Sequence, residues 1–210
     1  MRGLIIGGML TCVTLGAAAA DGSIFGTHRT KFQPVQIGGV LQGCEITFVT
    51  VIADHVYLKG NHVAVNGSVL LQGNEAGGLA LILRVGLMDI TLGAQFERPE
   101  FAYLQTANFS TAEANHQSFD GEEGYKLFVY NALDTSIANA LGELVSAGNV
   151  SIGYNRKIGG RDVLVPLDLM VVDSEYTTDQ KVLRKRSPDT MLGFLDCTEK
   201  VMNRTLEKLK

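Results

Sequence analysis

Alternating apolar and polar positions run through much of this chain and predict β-strands. Residues 45–51 read Glu-Ile-Thr-Phe-Val-Thr-Val, a β-branched alternation that suits a pleated surface. Residues 79–90 are apolar at nearly every position, which predicts a central strand covered on both faces; a buried helix is the alternative that periodicity leaves open. Residues 125–130 predict another strand, whereas residues 97–124 are polar, contain Pro99 and predict a long irregular excursion.

The clearest local pattern is a hairpin centred on Gly60-Asn61. Residues 55–59 and 62–66 flank these two residues, and Gly in the first position of a two-residue loop favours a type II′ turn. Pairing about this turn puts four aliphatic residues on one face, namely Val56, Leu58, Val63 and Val65. The opposite, polar face then presents His55, Tyr57, Lys59 and His62, with Ala64 and Asn66. A one-residue slip would mix the two faces, so the pattern supports this register.

A second hairpin and two helices complete the predicted elements. Residues 150–154 and 162–172 flank a basic loop that contains Arg156, Lys157 and Arg161. Residues 174–187 are polar and contain a second basic run from Lys181 to Arg186.

Helical signals occur in two places. Asp134 is placed as a helix N-cap, an apolar stripe at helical spacing follows it, and Gly148 stands where a C-terminal glycine belongs. Residues 187–189 (Ser-Pro-Asp) combine a cap, a proline and a first-turn acid, and predict a final helix that runs to about Lys208.

These elements predict an α+β fold that is mostly antiparallel β, either a sandwich or an open sheet built from hairpins, with one mid-chain helix and a C-terminal helix. The predicted organisation is a cleaved signal peptide over residues 1–20, an N-terminal arm over residues 21–40, and a single β-rich domain with its C-terminal helix over residues 41–210. The high glycine content, 24 residues, agrees with a turn-rich β protein. About 190 residues suffice for one domain with a real core.

The first twenty residues have the three parts of a cleaved export signal. Arg2 supplies the positive start, residues 4–16 the apolar middle, and Ala18 and Ala20 the small residues before a cut at Asp21. A retained membrane anchor is the alternative, but a span needs roughly 20 apolar residues and this stretch is shorter. The sequence therefore predicts an exported protein, periplasmic or secreted, with no transmembrane span in the mature chain.

Removal of this segment leaves two cysteines, Cys44 and Cys197. An even pair in an exported chain predicts a disulfide. Cys44 opens the first convincing strand, and Cys197 shares the apolar stripe of the last helix with Phe194 and Val201. The bond would hold the two ends of one domain together; the alternative is a pair of buried free thiols.

Charge and motifs argue against several classes of function. Loss of residues 1–20 leaves 17 Lys and Arg against 22 Asp and Glu, which disfavours a nucleic-acid binder. The motifs G-x-S-x-G, H-E-x-x-H, G-x-G-x-x-G and the P-loop are all absent from the sequence, so we expect no enzyme and no cofactor. No metal site is expected either, because the predicted hairpin register separates His55 from His62 by roughly 13 Å.

The leading functional hypothesis is an exported, disulfide-stapled, non-catalytic binding or interaction protein of the bacterial envelope or exterior. Its partner would be another protein or an envelope component, since basic runs on an acidic protein can bind an anionic surface such as lipid headgroups. The predicted contact surface consists of the two hairpins' polar and basic residues, His55, Tyr57, Lys59, His62, Arg156, Lys157 and Arg161.

Two alternatives stay open at this point. A periplasmic hydrolase could use a pair of carboxylates that converge in the fold, drawn from Asp89, Glu97, Glu100, Asp120, Glu122 and Glu123. A structural or assembly subunit of an envelope complex could instead bind its partner by pairing at an edge strand.

Overall fold

A computed structural model describes residues 25–73, 78–91, 93–122, 124–179 and 181–208, so the predicted signal peptide over residues 1–20 lies outside the described residues. The described strands, in chain order, are β1 (His28–Ile37), β2 (Val40–Asp54), β3 (Asn61–Gly73), β4 (Leu79–Asp89), β5 (Gln95–Glu97), β6 (Phe101–Gln105), β7 (His116–Asp120), β8 (Tyr125–Asn131), β9 (Asn149–Asn155), β10 (Val163–Asp168), β11 (Val171–Tyr176) and β12 (Val182–Arg186). The two helices are α1 (Thr135–Ala147), between β8 and β9, and α2 (Asp189–Lys208), after β12.

A seven-stranded antiparallel sheet forms the larger layer, with the strand order β1-β2-β3-β4-β8-β7 and β5 paired to the end of β4. The predicted central strand is confirmed, because β4 lies between β3 and β8. Its apolar composition follows from this position, and Leu81, Leu83 and Leu87 are fully buried.

The second layer consists of a three-stranded sheet, in the order β10-β9-β6, and the two helices. Side chains from both layers share one core; Ile46, Val69 and Leu83 come from the large sheet, and Ile152 and Val165 from the small one. Helix α2 packs on β1, β2 and β3. The structure thus confirms an α+β fold that is mostly antiparallel, with one mid-chain and one C-terminal helix.

The disulfide between Cys44 and Cys197 is formed and joins the start of β2 to α2, with a sequence separation of 153 residues. Both cysteines are buried, and Phe194 and Val201 lie beside Cys197 on the buried face of α2, as the spacing predicted.

The predicted hairpin of residues 55–59 and 62–66 is wrong. Strand β2 runs on to Asp54, residues 55–60 form a loop, and Asp54 pairs with Asn61 at the start of β3. Twelve residue pairs of β2 and β3 outweigh the short local pairing that Gly60-Asn61 suggested. The glycine is still required, since Gly60 has φ +93° in the last position of this loop.

The region predicted as an irregular excursion, residues 97–124, also differs from expectation, because it contains β6 and β7 and the end of β5. These strands lie at sheet edges, and β7 is exposed along its whole length. Strand β7 lies at an open edge and is exposed on both faces, so its sequence lacks the alternation that marks half-buried strands. Strand β6 differs, because Ala102, Tyr103 and Leu104 are buried, but its five residues are a short run within a polar segment. Residues 28–37 of the predicted N-terminal arm form β1, an edge strand of the large sheet.

The two predicted helices are confirmed in position, and so is the second hairpin, except that its predicted second strand over residues 162–172 is divided between β10 and β11. Helix α1 follows Asp134 and ends before Gly148, whose φ is +67°. The Asp134 carboxylate makes no capping hydrogen bond and instead accepts one from the Asn131 amide at 3.2 Å, so the cap position was right and the capping bond was not. Strands β9 and β10 form the second hairpin, and the polar stretch after it forms the hairpin β11–β12.

We predict that the double variant Cys44→Ser/Cys197→Ser loses about 2–5 kcal/mol of unfolding free energy, because removing the bond restores loop entropy to the unfolded chain. Urea unfolding with and without a reductant measures this loss. A reductant should destabilise the wild-type protein to a similar extent and leave the double variant unchanged. A wild-type protein that is insensitive to reductant after unfolding and refolding would contradict the prediction.

Candidate functional site

The residues predicted as a contact surface lie mainly in two loops at one end of the fold. We call this region the loop end and define it as residues 55–60, between β2 and β3, together with residues 156–162, between β9 and β10. Although about a hundred residues of sequence separate the loops, the Tyr57 hydroxyl donates a hydrogen bond to the Arg161 carbonyl at 2.5 Å. The Arg156 guanidinium carbon lies 5.9 Å from the centre of the Tyr57 ring.

The remaining predicted contact residues are placed around these loops. His55 and Lys59 are exposed in the first loop, and Lys157 is exposed in the second. His62 begins β3 beside the first loop and is half-buried, with its ring centre 5.8 Å from that of Phe25.

Asp54, at the end of β2, determines the shape of the first loop. Its Oδ1 accepts hydrogen bonds from the backbone N–H groups of Val56 at 2.9 Å and Tyr57 at 2.8 Å. Its carbonyl accepts two more, from the backbone N–H groups of Leu58 and Gly60. An aspartate that folds its own following turn in this way is a common loop start. Here it fixes Tyr57 against the second loop.

Arg156 is the first residue of the second loop, and its side chain forms ion pairs with three carboxylates in the interior. Its Nη1 and Nη2 donate to both oxygens of Asp89, at 3.1 and 2.8 Å. Nη1 also pairs with Glu97, and Nε lies 3.3 Å from Asp54 Oδ2. The Arg156 side chain is only 6% exposed, so this arginine is part of the interior and not a solvated loop cation as its sequence position suggested.

The electrostatics of this cluster keep Arg156 charged. Burial alone lowers the pKa of the guanidinium, but hydrogen bonds and charge from Asp89, with a smaller contribution from the charge of Glu97, raise the pKa above its ordinary value. The contact between Nε and Asp54 is an ion pair that lacks hydrogen-bond geometry. Nε therefore donates no hydrogen bond.

Tyr154 completes the cluster from β9. Its buried hydroxyl donates to Asp54 Oδ2 at 3.2 Å. Burial, and next the charge of Asp54, raise the pKa of this hydroxyl, so it stays protonated and serves as a hydrogen-bond donor. The cluster therefore connects β2, β4 and β5 of the large sheet to β9 of the small sheet through charged and polar side chains.

The carboxylates of the hydrolase hypothesis are all placed except Glu123, which lies outside the described residues. Asp89 and Glu97 do converge, but they converge on Arg156, which binds both oxygens of Asp89. Each of two others lies 3.7 Å from a cation, Glu100 from Lys126 and Asp120 from Arg98. Glu122 lies in the turn before β8, where its carbonyl accepts the Tyr125 N–H. Ion pairs of this kind hold strands and loops in place. These residues therefore give the hydrolase hypothesis no support.

The apex of the second loop is an exposed aliphatic side chain among cations. Ile158 is 88% exposed and follows Lys157 directly. The turn is closed by the Gly160 N–H, which donates to the Lys157 carbonyl at 2.8 Å. Gly160 also permits the contact between the loops, because a Cβ there would lie 2.4 Å from the Tyr57 hydroxyl oxygen. The apex is thus held in place from behind while Ile158 projects outward.

A cleft of about 510 Å³ opens between β1, β10 and β12. Its charged groups bond mainly to the protein itself. His28 Nε2 contacts the Asp168 carbonyl at 2.9 Å, Asp168 pairs with Arg186, and Arg184 donates to the Gly26 carbonyl at 2.9 Å. Burial lowers the pKa of His28, so its ring is neutral at neutral pH. The His28 contact fastens β1 to β10, the Asp168–Arg186 pair joins β10 to β12, and Arg184 joins β12 to the segment before β1. We therefore assign the cleft a structural role. Within the described ranges, no group of three or more His, Cys, Asp or Glu side chains is arranged to hold a metal ion.

The sequence predicted the second loop, placed residues 55–59 of the first loop in a strand, and gave no indication of what joins the two loops. Asp54 carried a usable signal, since an Asp directly after a β-branched strand commonly starts a turn. Asp89 was expected only as a possible member of a catalytic carboxylate pair, and Tyr154 gave no signal, because a tyrosine in a strand is ordinary core composition.

We predict that Arg156→Met destabilises the protein by about 3–5 kcal/mol, because it leaves Asp54 and Asp89 buried without a counter-charge. The unfolding free energy from urea titration measures the loss. Arg161→Met is the matched control, an exposed arginine of the same loop whose carbonyl, not its side chain, bonds Tyr57. It should change stability by less than about 0.5 kcal/mol. Equal stability of the two variants would show that the cluster contributes nothing.

Comparison with known proteins gives no match. No protein-family model, curated protein sequence or solved structure matches this chain. Function is therefore argued from the loop end and its surroundings.

Proposed function

We propose that this chain is an exported, disulfide-stapled binding protein without catalytic activity, whose loop end docks on the anionic lipid surface of the envelope. The observation that carries the proposal is the apex of the β9–β10 loop. Ile158 is 88% exposed there, and Lys59, Lys157 and Arg161 are exposed on the two loops that Tyr57 holds together.

The three exposed cations of the loop end outnumber its one exposed carboxylate, and this excess favours an anionic surface outside. That carboxylate, Asp162, accepts hydrogen bonds from Tyr103 and Asn155. Asp54 is fully buried, and the Asp89 side chain is only 10% exposed against Arg156. The exposed cations extend outward from this base, on a chain whose net charge is −4. A Lys or Arg near an anionic lipid surface contributes about 1 kcal/mol of attraction. Insertion of one Ile side chain adds at most about 1.5–3 kcal/mol. The expected contact is weak, reversible and sensitive to salt.

The shape of the apex favours a lipid surface over a protein partner. Energetic centres of protein interfaces are enriched in Trp, Tyr and Arg that fill pockets. The apex instead presents a single projecting aliphatic side chain among exposed cations, and Arg156 and Tyr57 of the loop end are engaged inside it. A projecting aliphatic side chain flanked by Lys and Arg suits the boundary between headgroups and acyl chains.

Export is the second part of the proposal. The segment over residues 1–20 has the composition of a signal peptide, and the Cys44–Cys197 disulfide is a bond that persists in oxidising compartments. Across the part of the chain that the structure describes, no helix is long and apolar enough to span a membrane. These observations support a mature protein that reaches the envelope surface from outside the cytoplasm.

We predict that the full-length chain, expressed in a bacterial host, yields an exported form. Its intact mass should match a chain that starts at Asp21 and contains the disulfide. Intact-mass measurement with and without reduction reads both features. A protein that stays in the cytoplasm with residues 1–20 attached would contradict the export part of the proposal and leave the docking part to its own test.

We predict that the mature protein binds vesicles of phosphatidylcholine mixed with phosphatidylglycerol and binds vesicles of phosphatidylcholine alone much more weakly. Ile158→Ser should lower the partition coefficient by about tenfold, because it removes the inserted side chain. The triple variant Lys59→Gln/Lys157→Gln/Arg161→Gln should lower it by about a hundredfold, because it removes three surface cations. Vesicle co-sedimentation at low and high salt gives these values.

Two matched controls locate the contact. Leu164→Ser removes an aliphatic side chain that is 55% exposed on β10 of the same hairpin, and Lys185→Gln removes an exposed cation of the other basic run. Neither should change vesicle binding. Absence of binding to the mixed vesicles rejects the lipid proposal, and so does equal binding by the apex variants and their controls. Binding to an acidic polypeptide without binding to vesicles would favour a protein partner instead.

A further inference from the structure

Asn155, the last residue of β9, leaves a buried polar atom without a partner. Its residue exposure is 9%, its Nδ2 donates to Asp162 Oδ1 at 3.1 Å, and its Oδ1 has no hydrogen-bond partner. A carboxylate oxygen accepts hydrogen bonds, so the contact with Asp162 fixes which end of the amide is the donor. The unpaired atom is therefore an acceptor. Buried acceptors are rarely left unpaired in proteins, which draws attention to the surface around Asn155.

A cleft of about 360 Å³ opens at Asn155, on the flank of the loop end, and we call it the side cleft. It is lined by Asn155, Glu100, Phe101, His116, Ser118 and Lys126, together with Phe128, Ile158 and Gly159. Small-molecule sites in proteins begin at about this volume. The register places Asn155 directly opposite Phe101 on β6, so their side chains share one face of the small sheet.

Aromatic rings form the apolar wall of the side cleft. The ring centre of His116 lies 5.3 Å from that of Phe101 and 5.8 Å from that of Phe128. His116 Nδ1 lies 3.1 Å from the Ala114 carbonyl, which can only accept, so Nδ1 is the donor. In the neutral ring Nε2 then carries a lone pair and is a second acceptor.

The charged groups of the side cleft cancel each other. Lys126 Nζ lies 3.7 Å from a Glu100 carboxylate oxygen and donates to the Glu100 carbonyl at 2.8 Å. The Lys126 side chain is 16% exposed, and this carbonyl bond uses one of its three N–H donors. The hydroxyl of Ser118 adds a further group that can both donate and accept. A free anion would meet Glu100 and a free cation would meet Lys126, so a charged ligand gains little.

We propose that the side cleft binds a neutral, polyhydroxylated ring, that is, one sugar unit of a glycan. Adjacent hydroxyl groups of a sugar both donate and accept, which matches acceptors at His116 and Glu100 and donors at Lys126 and Ser118. The apolar C–H face of the ring can pack on Phe101 and His116. This site goes beyond the lipid contact and takes a different class of ligand, although Ile158 belongs to both.

The test titrates the mature protein with methyl glycosides of glucose, galactose, mannose and N-acetylglucosamine and with their disaccharides. Protein NMR chemical shifts and calorimetry report binding. We expect at least one of these probes to bind, with shifts at His116 and Asn155. His116→Phe keeps the aromatic wall and removes the Nε2 acceptor, and Lys126→Met keeps the stem and removes the donor. Each should weaken binding by about tenfold.

Matched controls separate the side cleft from general surface effects. Lys185→Met and His62→Phe make the same chemical changes outside the side cleft and should leave sugar binding unchanged. No shift with any probe overturns the proposal, as does sugar binding that His116→Phe and Lys126→Met leave intact. Tighter binding of glucose 6-phosphate than of glucose would overturn the neutral-ligand class. Vesicle binding by the same samples is measured separately, so failure of one proposal does not imply failure of the other.

Discussion

The arrangement of the loop end depends on one buried guanidinium. Arg156 belongs to the small sheet's hairpin, and its three carboxylate partners belong to the large sheet. Taking these charges out of water is costly, and a buried ion pair of this kind often gives no more net stability than apolar packing would. What it does give is position. A slip of either sheet would leave Asp54 and Asp89 without a counter-charge, so alternative registers are strongly disfavoured. The two loops can therefore present a fixed surface even though each is exposed.

The disulfide and the ion cluster fix opposite ends of the same strand. Strand β2 contains Cys44 near its start and Asp54 at its end. Ten residues of strand separate these positions by roughly 33 Å. The covalent bond therefore fixes α2 to one end of the large sheet, and the charged cluster fixes the small sheet to the other. Neither constraint can replace the other, because each acts on a different element of the second layer.

Local pattern predicted the fold class, both helices, the central strand and the disulfide, since each has a signal within a few residues or in the parity of cysteines. It failed at the β2–β3 loop. There Gly60-Asn61 offered a good short hairpin, while the true pairing of Asp54 with Asn61 depends on twelve pairs spread along two long strands. It failed likewise at Arg156, since an arginine in a Gly-rich basic loop gives no sign of being buried. Burial of that side chain follows from two aspartates that end separate strands, and only the assembled sheet brings those ends together.

The burial of Arg156 also changes what the basic loop can do. Four of the predicted contact residues are Lys or Arg, and one of them, Arg156, is buried and paired with carboxylates. Charge alone therefore no longer distinguishes this loop from any solvated turn. What distinguishes it is Ile158, which is both the exposed apex and part of the wall of the side cleft. A ligand in the side cleft that packs on Ile158 would reduce the aliphatic surface left for a membrane, and an inserted Ile158 would be less available to the ligand. Such a coupling must be reciprocal. The two contacts therefore compete wherever both need the same face of Ile158, and they reinforce each other only if the sugar is itself carried on the lipid surface, where one docking event raises the local concentration of the other partner.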